Sequence, residues 1–177
     1  ASGTYDVQLI VSNVNGADTL LQAGMVTVDL SGQLVPAQCA PETQGYCCGY
    51  GITSVDFAGI DVTSGDAAEG YVDRSCGNVA QVTEGQSYPI SIGTGGILNH
   101  DVIMWMDLDN NGLFDAGEEV WSALDQQNPN TTFVMPSGSV FGTPLRLRIE
   151  DDVVGETPLA CDAPLYGQME DYTVIVT

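Results

Sequence analysis

The stretch "MDLDNNGLFDAGEE", Met106–Glu119, reads D-x-D-x-N-G-x5-E from Asp107 onward. Asp107, Asp109 and Asn111 place side-chain oxygens at alternate positions, and Gly112 stands where the chain must bend. Leu113 would add a backbone carbonyl, Asp115 a direct or water-mediated ligand, and Glu118 would close the ring. That spacing is the one calcium loops use between two helices. Its flanks are not helical. "HDVIMWMD", His100–Asp107, is a compact apolar run rich in strand formers, and "VWSALDQQNPNTT", Val120–Thr132, reaches turn signals before a long helix can develop. The loop therefore joins two strands. Its oxygen donors suit Ca2+, and five acidic residues in one loop repel one another unless a cation neutralises them. The alternative is a solvated Asp/Asn/Gly turn, which forms readily without metal.

Outward from this loop, short strand-like runs recur between turn signals: "YDVQLIV", "MVTVDL", "YGITSVDFAGI", "YPISI", "LRLRIE" and "YTVIV". With abundant glycine, the pattern predicts an all-β chain, a β-sandwich of jelly-roll or immunoglobulin-like type. A length of 177 residues suits one domain, or one domain and a piece of another, with a substantial core. Gly, Pro and polar residues interrupt the strand pattern near "SGQLVPAQCAPETQGY", Ser31–Tyr46. We expect a two-strand segment over 1–30, a linker over 31–45 and the main sandwich over 46–177.

Charge narrows the function classes. There are 24 acidic residues against three arginines and no lysine, a net charge of -21. Nucleic-acid binding through phosphates is excluded. Anionic membrane surfaces would be repelled, no apolar run is long enough to span a bilayer, and no membrane insertion is expected. Such a chain gains from divalent cations, which suits an extracellular medium. The five cysteines, Cys39, Cys47, Cys48, Cys76 and Cys161, lack a C-x-x-C pair, and the chain has one histidine, so disulfides are favoured over zinc. Cys47 and Cys48 are adjacent and would point to opposite faces of a strand, so each is expected to find its own partner, with one thiol of the five left over or paired with another chain. "ASGTYDV" lacks the features of a signal peptide, and the chain is expected to be already processed or cut from something longer.

Two resemblances follow from these motifs. "SGTYDVQLIVSNVNGADTLLQAGMVTV" resembles the C-terminal half of a PKD domain, a small immunoglobulin-like sandwich, through Gly3, Thr4, Tyr5, Val7, Leu9, Val11, Asn13 and Gly16 and the final "MVTV". From about Gly45 onward the chain resembles the GEVED domain of secreted and surface proteins of Bacteroidetes-type bacteria. The carrying motifs are "GYVDRS" with "VTEGQSYPISI", "VIMWMDLDNNGLFDAGEEVW", and "GTPLRLRIEDD" leading to "YGQMEDYTVIV". Gln168 departs from the namesake motif and removes one carboxylate. The resemblance implies an extracellular β-sandwich that accompanies adhesins, surface structures and secreted peptidases. It does not imply catalysis. One disulfide is then expected to tie the start of the GEVED-like part to its C-terminal motif, Cys39 or Cys47 with Cys161, and a second to join Cys47 or Cys48 to Cys76.

His100, beside Asp101, has no nucleophile turn near it, so a strand-start histidine is preferred to a catalytic one. "IEDD", Ile149–Asp152, and "MEDY", Met169–Tyr172, read as charged strand ends, with a second calcium site as the minority reading. Arg146 and Arg148 share one strand face and are expected to pair with carboxylates such as Glu170 or Asp171. Trp105, Trp121, Tyr46, Tyr50, Tyr71 and Tyr166 could stack on sugars, although core packing is preferred for both tryptophans. "DTL", Asp18–Leu20, resembles a short O-glycosylation acceptor.

The expected function is non-catalytic: an extracellular structural or adhesive module, stabilised by Ca2+ and disulfides, and a subunit of a cell-surface filament assembling by strand exchange. The alternative is an accessory domain that binds a glycan or other surface ligand for a large secreted enzyme such as a metallopeptidase. Self-association or neighbouring domains of a longer parent chain are the expected partners. The strand pair is the exposed part of this reading, because its Tyr5, Val7, Leu9 and Val11 face should be covered by protein.

Overall fold

The strand runs become strands because β-branched and aromatic residues alternate with polar ones between glycine turns. A computed structural model describes residues 3–28, 32–64, 68–156 and 159–177, and contains no helix among them. The chain divides into two units, Ala1–Gln33 and Leu34–Thr177.

The first unit is an antiparallel hairpin of β1 (Gly3–Asn13) and β2 (Gly16–Val28). Val14 and Asn15 make the turn, where the Asn15 amide donates to Asn13 Oδ1 at 2.8 Å. The register slips after Tyr5, where the Gly24 amide, at φ +63°, donates to Asp6 Oδ1 at 2.7 Å. Asp29 and Leu30, the end of the expected second run, lie outside the described residues. Sequence alternation led us to expect one apolar face. Instead both faces carry exposed apolar side chains, Leu9 and Val11 on one and Ile10 on the other, each 58–62% exposed.

The second unit is a β-sandwich. One sheet has the order β10-β7-β3-β4, from β3 (Ile52–Phe57), β4 (Ile60–Thr63), β7 (Ser87–Thr94) and β10 (Asn130–Val134). β3 and β4 meet in a tight turn with positive φ at both Ala58 and Gly59, the backbone that matches strand twist. The other sheet runs β12-β11-β8-β9, with β8 (His100–Met106), β9 (Glu119–Gln126), β11 (Pro144–Val153) and β12 (Gln168–Val176) antiparallel. β5 (Tyr71–Asp73) and β6 (Val79–Val82) follow one another along the outer edge of β12, both parallel to it.

Period-two alternation sends Leu145, Leu147 and Ile149 of β11 into the space between the sheets, with Val102, Met104, Met106, Tyr172, Val174 and Val176. Ile52, Val55, Phe57, Ile90, Ile92 and Phe133 meet them from the other sheet, Phe57 and Phe133 edge to face at 5.6 Å. The opposite face of β11 carries Arg146, Arg148 and Glu150, and these too are buried. What covers them is the irregular segment from Leu34, read in the sequence as a linker over 31–45. Its residues from Leu34 onward belong to the second unit: Gln38 N donates to Gly112 O, Gln44 N to Pro164 O, and Thr43 Oγ1 to Gly167 O. Cys39 and Cys161 are joined, Cα to Cα 5.7 Å.

Two cysteine expectations are overturned. Cys47 and Cys48 are bonded to each other, and Cys76 is free and exposed. The expectation assumed an extended strand, but φ is +66° at Cys48 and +85° at Gly49, so the pair sits in a turn and its side chains do not splay apart. "IEDD" and "MEDY" are likewise not exposed strand ends: Glu150, Asp151, Asp152, Glu170 and Asp171 are all at most 2% exposed within β11 and β12.

Under the cover, Arg148 donates from Nε and Nη2 to the two oxygens of Asp171 at 2.7 and 2.8 Å, from Nη1 to Ala160 O at 2.7 Å, and from Nη2 to Cys39 O at 2.9 Å. The Phe114 ring lies 4.7 Å from its guanidinium carbon. Removing one partner of a buried pair leaves the other charge stranded, so Arg148→Met should cost about 3–5 kcal/mol in urea unfolding. Arg146→Met should cost less, since Asp171 keeps Arg148; equal losses would show that Arg148 has no special place in the fold.

Candidate metal centre

The candidate loop leaves β8 after Met106 and enters β9 at Glu119, so adjacent paired strands hold its two ends. Met106 N donates to Glu118 O at 2.8 Å and Asp107 N to Arg146 O at 2.9 Å, which pins the loop base to the sheet. Between these ends Gly112 turns at φ +85°, and a Cβ there would come within 2.9 Å of Pro36 O. Glycine is thus required by the bend and by the cover segment together.

Within the loop, side chains turn inward to meet backbone amides. Asp107 Oδ1 and Oδ2 accept from Asn111 N (2.9 Å) and Gly112 N (2.8 Å). Glu118 accepts from Leu108 N at 2.6 Å and Asp115 N at 2.8 Å. Asn111 Oδ1 accepts from Leu113 N, while its Nδ2 donates to Asp109 Oδ2 at 3.0 Å and reaches Asp115 Oδ2 at 3.5 Å. The loop brings carboxylate oxygens of Asp107, Asp109 and Glu118 within 4.8 Å of one another. Asn111 and Asp115 stand beside them. Asp107 and Glu118 are buried, Asp109 is exposed, and the Leu113 side chain points outward at 39% exposed, as suits a residue offering only its carbonyl. Burial, then a neighbouring carboxylate, raises the affinity of Asp107 and Glu118 for protons above the usual carboxylate range, against the pull of their amide donors. Hard oxygens of like charge at this separation are the donor set a divalent cation of calcium type accepts.

The other sequence candidates fall elsewhere. His100 is fully buried, its Nδ1 3.0 Å from Asp151 Oδ1 and its Nε2 3.0 Å from Gly95 O, with the Tyr50 ring edge-on at 4.8 Å. Both ring nitrogens are engaged in this buried setting, and the residue ties β8 to β11. Asp171 receives both Arg146 and Arg148, whereas Glu170 pairs with Arg74 at 2.9 Å. Arg74, on the turn after β5, was missed; its only sequence signal was its rarity in so acidic a chain. Gln168 is buried and donates to Glu170 Oε1 at 2.8 Å. An acid in its place would repel Glu170. The aromatic residues do not form one platform. Trp105 packs on the outer face with Ile103, Ala160 and Phe114, Trp121 packs against the inter-sheet core, Tyr50 stacks with Tyr166, and Tyr71 lies over Arg148.

The buried titratable groups set a pH dependence whose sign is unusual. Burial is the leading cause for the acids: Glu150 is pushed up to about 9, Asp151 to about 6, and Glu170 is also raised. For His100, burial pulls the value down, but the hydrogen bond and charge of Asp151 outweigh it and the net shift is upward. Every one of these groups, with Asp107 and Glu118, holds its proton more tightly folded than unfolded. Their contribution is therefore fully present below the unfolded values, about 4 for the acids and 6.5 for histidine, and is lost as pH rises through the folded ones. Asp73, held low by Ser75 and Arg146 in spite of its burial, acts oppositely but is half exposed. In excess chelator the urea midpoint should be lower at about pH 8.5 than at about pH 5, and Glu150→Gln should flatten the difference. A midpoint that rises with pH would contradict this assignment.

Comparison with known proteins bears on the stretch that contains the loop. No curated protein and no solved structure matches the chain. The family model of the GEVED domain matches residues 101–175, from β8 through the loop, β9, β10 and β11 to the end of β12, and leaves the hairpin of β1 and β2 outside the match.

Proposed function

We propose that this protein is a non-catalytic structural or adhesive module of the extracellular surface, stiffened by Ca2+ and a disulfide, and associating through its N-terminal hairpin. The observation that carries the reading is the convergence of Asp107, Asp109 and Glu118 at the sheet end. A cation there would be held by these three with Asn111, the Leu113 carbonyl and Asp115, and would close the β8–β9 connection, whose bend at Gly112 the cover segment touches. Its chemistry would be electrostatic, because the surrounding residues act as anchors: Arg146 holds the loop base by its carbonyl, and Gln38 holds Gly112. An extracellular medium supplies such a cation to weak sites, the GEVED match supports a module of extracellular proteins, and no helix of the described residues is long and apolar enough to cross a membrane.

Association rests on the hairpin. Leu9, Ile10, Val11, Leu20, Leu21 and Met25 are each more than half exposed, and a two-stranded ribbon has two open edges. Strand addition from a neighbouring molecule satisfies edge hydrogen bonds and apolar side chains in one step. That is the route by which such subunits would build a filament.

Two measurements test the halves separately. Calcium at about 100 times its dissociation constant should add about 2.7 kcal/mol, or roughly 5–10 °C in melting temperature for a domain of this size. Asp109→Asn with Glu118→Gln should remove the gain, and a calcium-independent melting curve in the unmodified protein would dismiss the metal. Deleting residues 1–33 should abolish multimers in sedimentation and filaments in electron micrographs while the calcium response persists. Should the shortened chain still assemble, the accessory-domain reading would take the place of this one.

A further inference from the structure

A groove opens beside the candidate metal loop on the outer face of the larger sheet. Its walls are Trp105 from β8, Phe114 and Ala116 from the loop, and Leu159, and its rim carries the carboxylates of Asp115 and Glu119. The fold makes this combination deliberately local. Trp105 and Glu119 are cross-strand partners, so the indole and the carboxylate stand side by side on the same sheet face. Phe114 is set by its contact with Arg148 beneath it. Asp115 and Glu119 are exposed and Leu159 is 71% exposed, so both the charges and one apolar wall face solvent.

We infer that this groove receives a lysine or arginine side chain from a partner protein. An aliphatic stem fits against the phenyl ring, Ala116 and Leu159, over an indole that is itself only 4% exposed, while the cationic head meets Asp115 and Glu119 at the rim. The molecule already shows the chemistry of this wall: Phe114 accepts the Arg148 guanidinium at 4.7 Å. Charge also says whose side chain it is. The chain has three arginines and no lysine, and Arg74, Arg146 and Arg148 are each committed to carboxylates of their own fold. A second copy therefore has no spare basic side chain to offer, and the occupant comes from a different, basic protein. Its approach would be accelerated by the net charge of -21 and weakened by salt.

The test uses the full chain and three probes: acetyl-Gly-Arg-Gly amide, acetyl-Gly-Lys-Gly amide, and the citrulline analogue, which keeps the shape of arginine without its charge. The reporter is the Trp105 indole N–H resonance, distinguished from that of Trp121 by Trp121→Phe. The arginine and lysine peptides should shift it with millimolar affinity, as befits a single side chain, and the citrulline peptide should not. Glu119→Gln should weaken binding about threefold, the range of an exposed ion pair, and Ala116→Trp should abolish it by filling the groove. Titrations with and without calcium separate this inference from the metal reading: Glu119 lies outside the ligand spacing, so binding should persist, weakened, when calcium engages Asp115, and should be unchanged if the metal reading fails. Equal shifts from the citrulline peptide, binding that survives Ala116→Trp, an unmoved Trp105 resonance, or tighter binding of the small polyamine spermidine than of the peptides would each overturn it.

Discussion

Arg148 uses all five of its guanidinium hydrogens inside the protein. Two go to Asp171, two reach the Cys39 carbonyl and sulfur, and one goes to the Ala160 carbonyl. An ion this deeply enclosed is tolerated only when geometry and hydrogen bonding offset its desolvation together. The acceptors come from β12, from the loop that leads into it, and from the cover segment, whose Cys39 is 122 residues away from Cys161 of that loop. None can leave its place without exposing a buried charge. Antiparallel sheets usually leave one face to water; here the guanidinium draws irregular chain over that face and gives the sheet a second, partly polar interior.

The candidate metal loop inherits its rigidity from this arrangement. Phe114 lies on the Arg148 guanidinium, Gln38 of the cover segment donates to Gly112, and the Cys39–Cys161 disulfide fixes the cover one residue away from its bond to Gly112. A loop of like charges would open if left to itself. Tied at its base to β11 through Asp107 and Arg146 and at its bend to the cover, it keeps three carboxylates together. Preorganisation of that kind lowers the ordering cost of binding.

The strands were legible because alternation is a local signal: "LRLRIE" sets leucines against arginines on opposite faces whatever the rest of the chain does. The turn between β8 and β9 was legible for the same reason, its Asp, Asn and Gly lying within one short stretch. What could not be read was nonlocal. Composition places carboxylates outside, and only the fold reveals that Asp151 meets His100, Glu170 meets Arg74, and Asp152 accepts the amides of Leu165, Tyr166 and Gly167. The segment from Leu34 has no period, so it looked like a linker; its structure comes from partners supplied elsewhere. Cys47 and Cys48 misled because a period-two argument fails where φ turns positive.

The same bookkeeping of charge explains why the surface is so acidic. All three arginines are consumed beneath the cover or along the β12 edge, where they neutralise Asp171, Glu170 and their neighbours. The fold therefore directs its cations mainly to internal connections and, among the described residues, gives the exterior carboxylates only the contacts of Arg74 with Glu69 and Arg146 with Asp73. Protons could serve in acid, and the upward shifts of the buried acids show where they would be held first. At neutral pH further positive charge has to come from outside the fold, and the end of the sheet between β8 and β9 offers it the loop carboxylates and, at the groove beside them, Glu119.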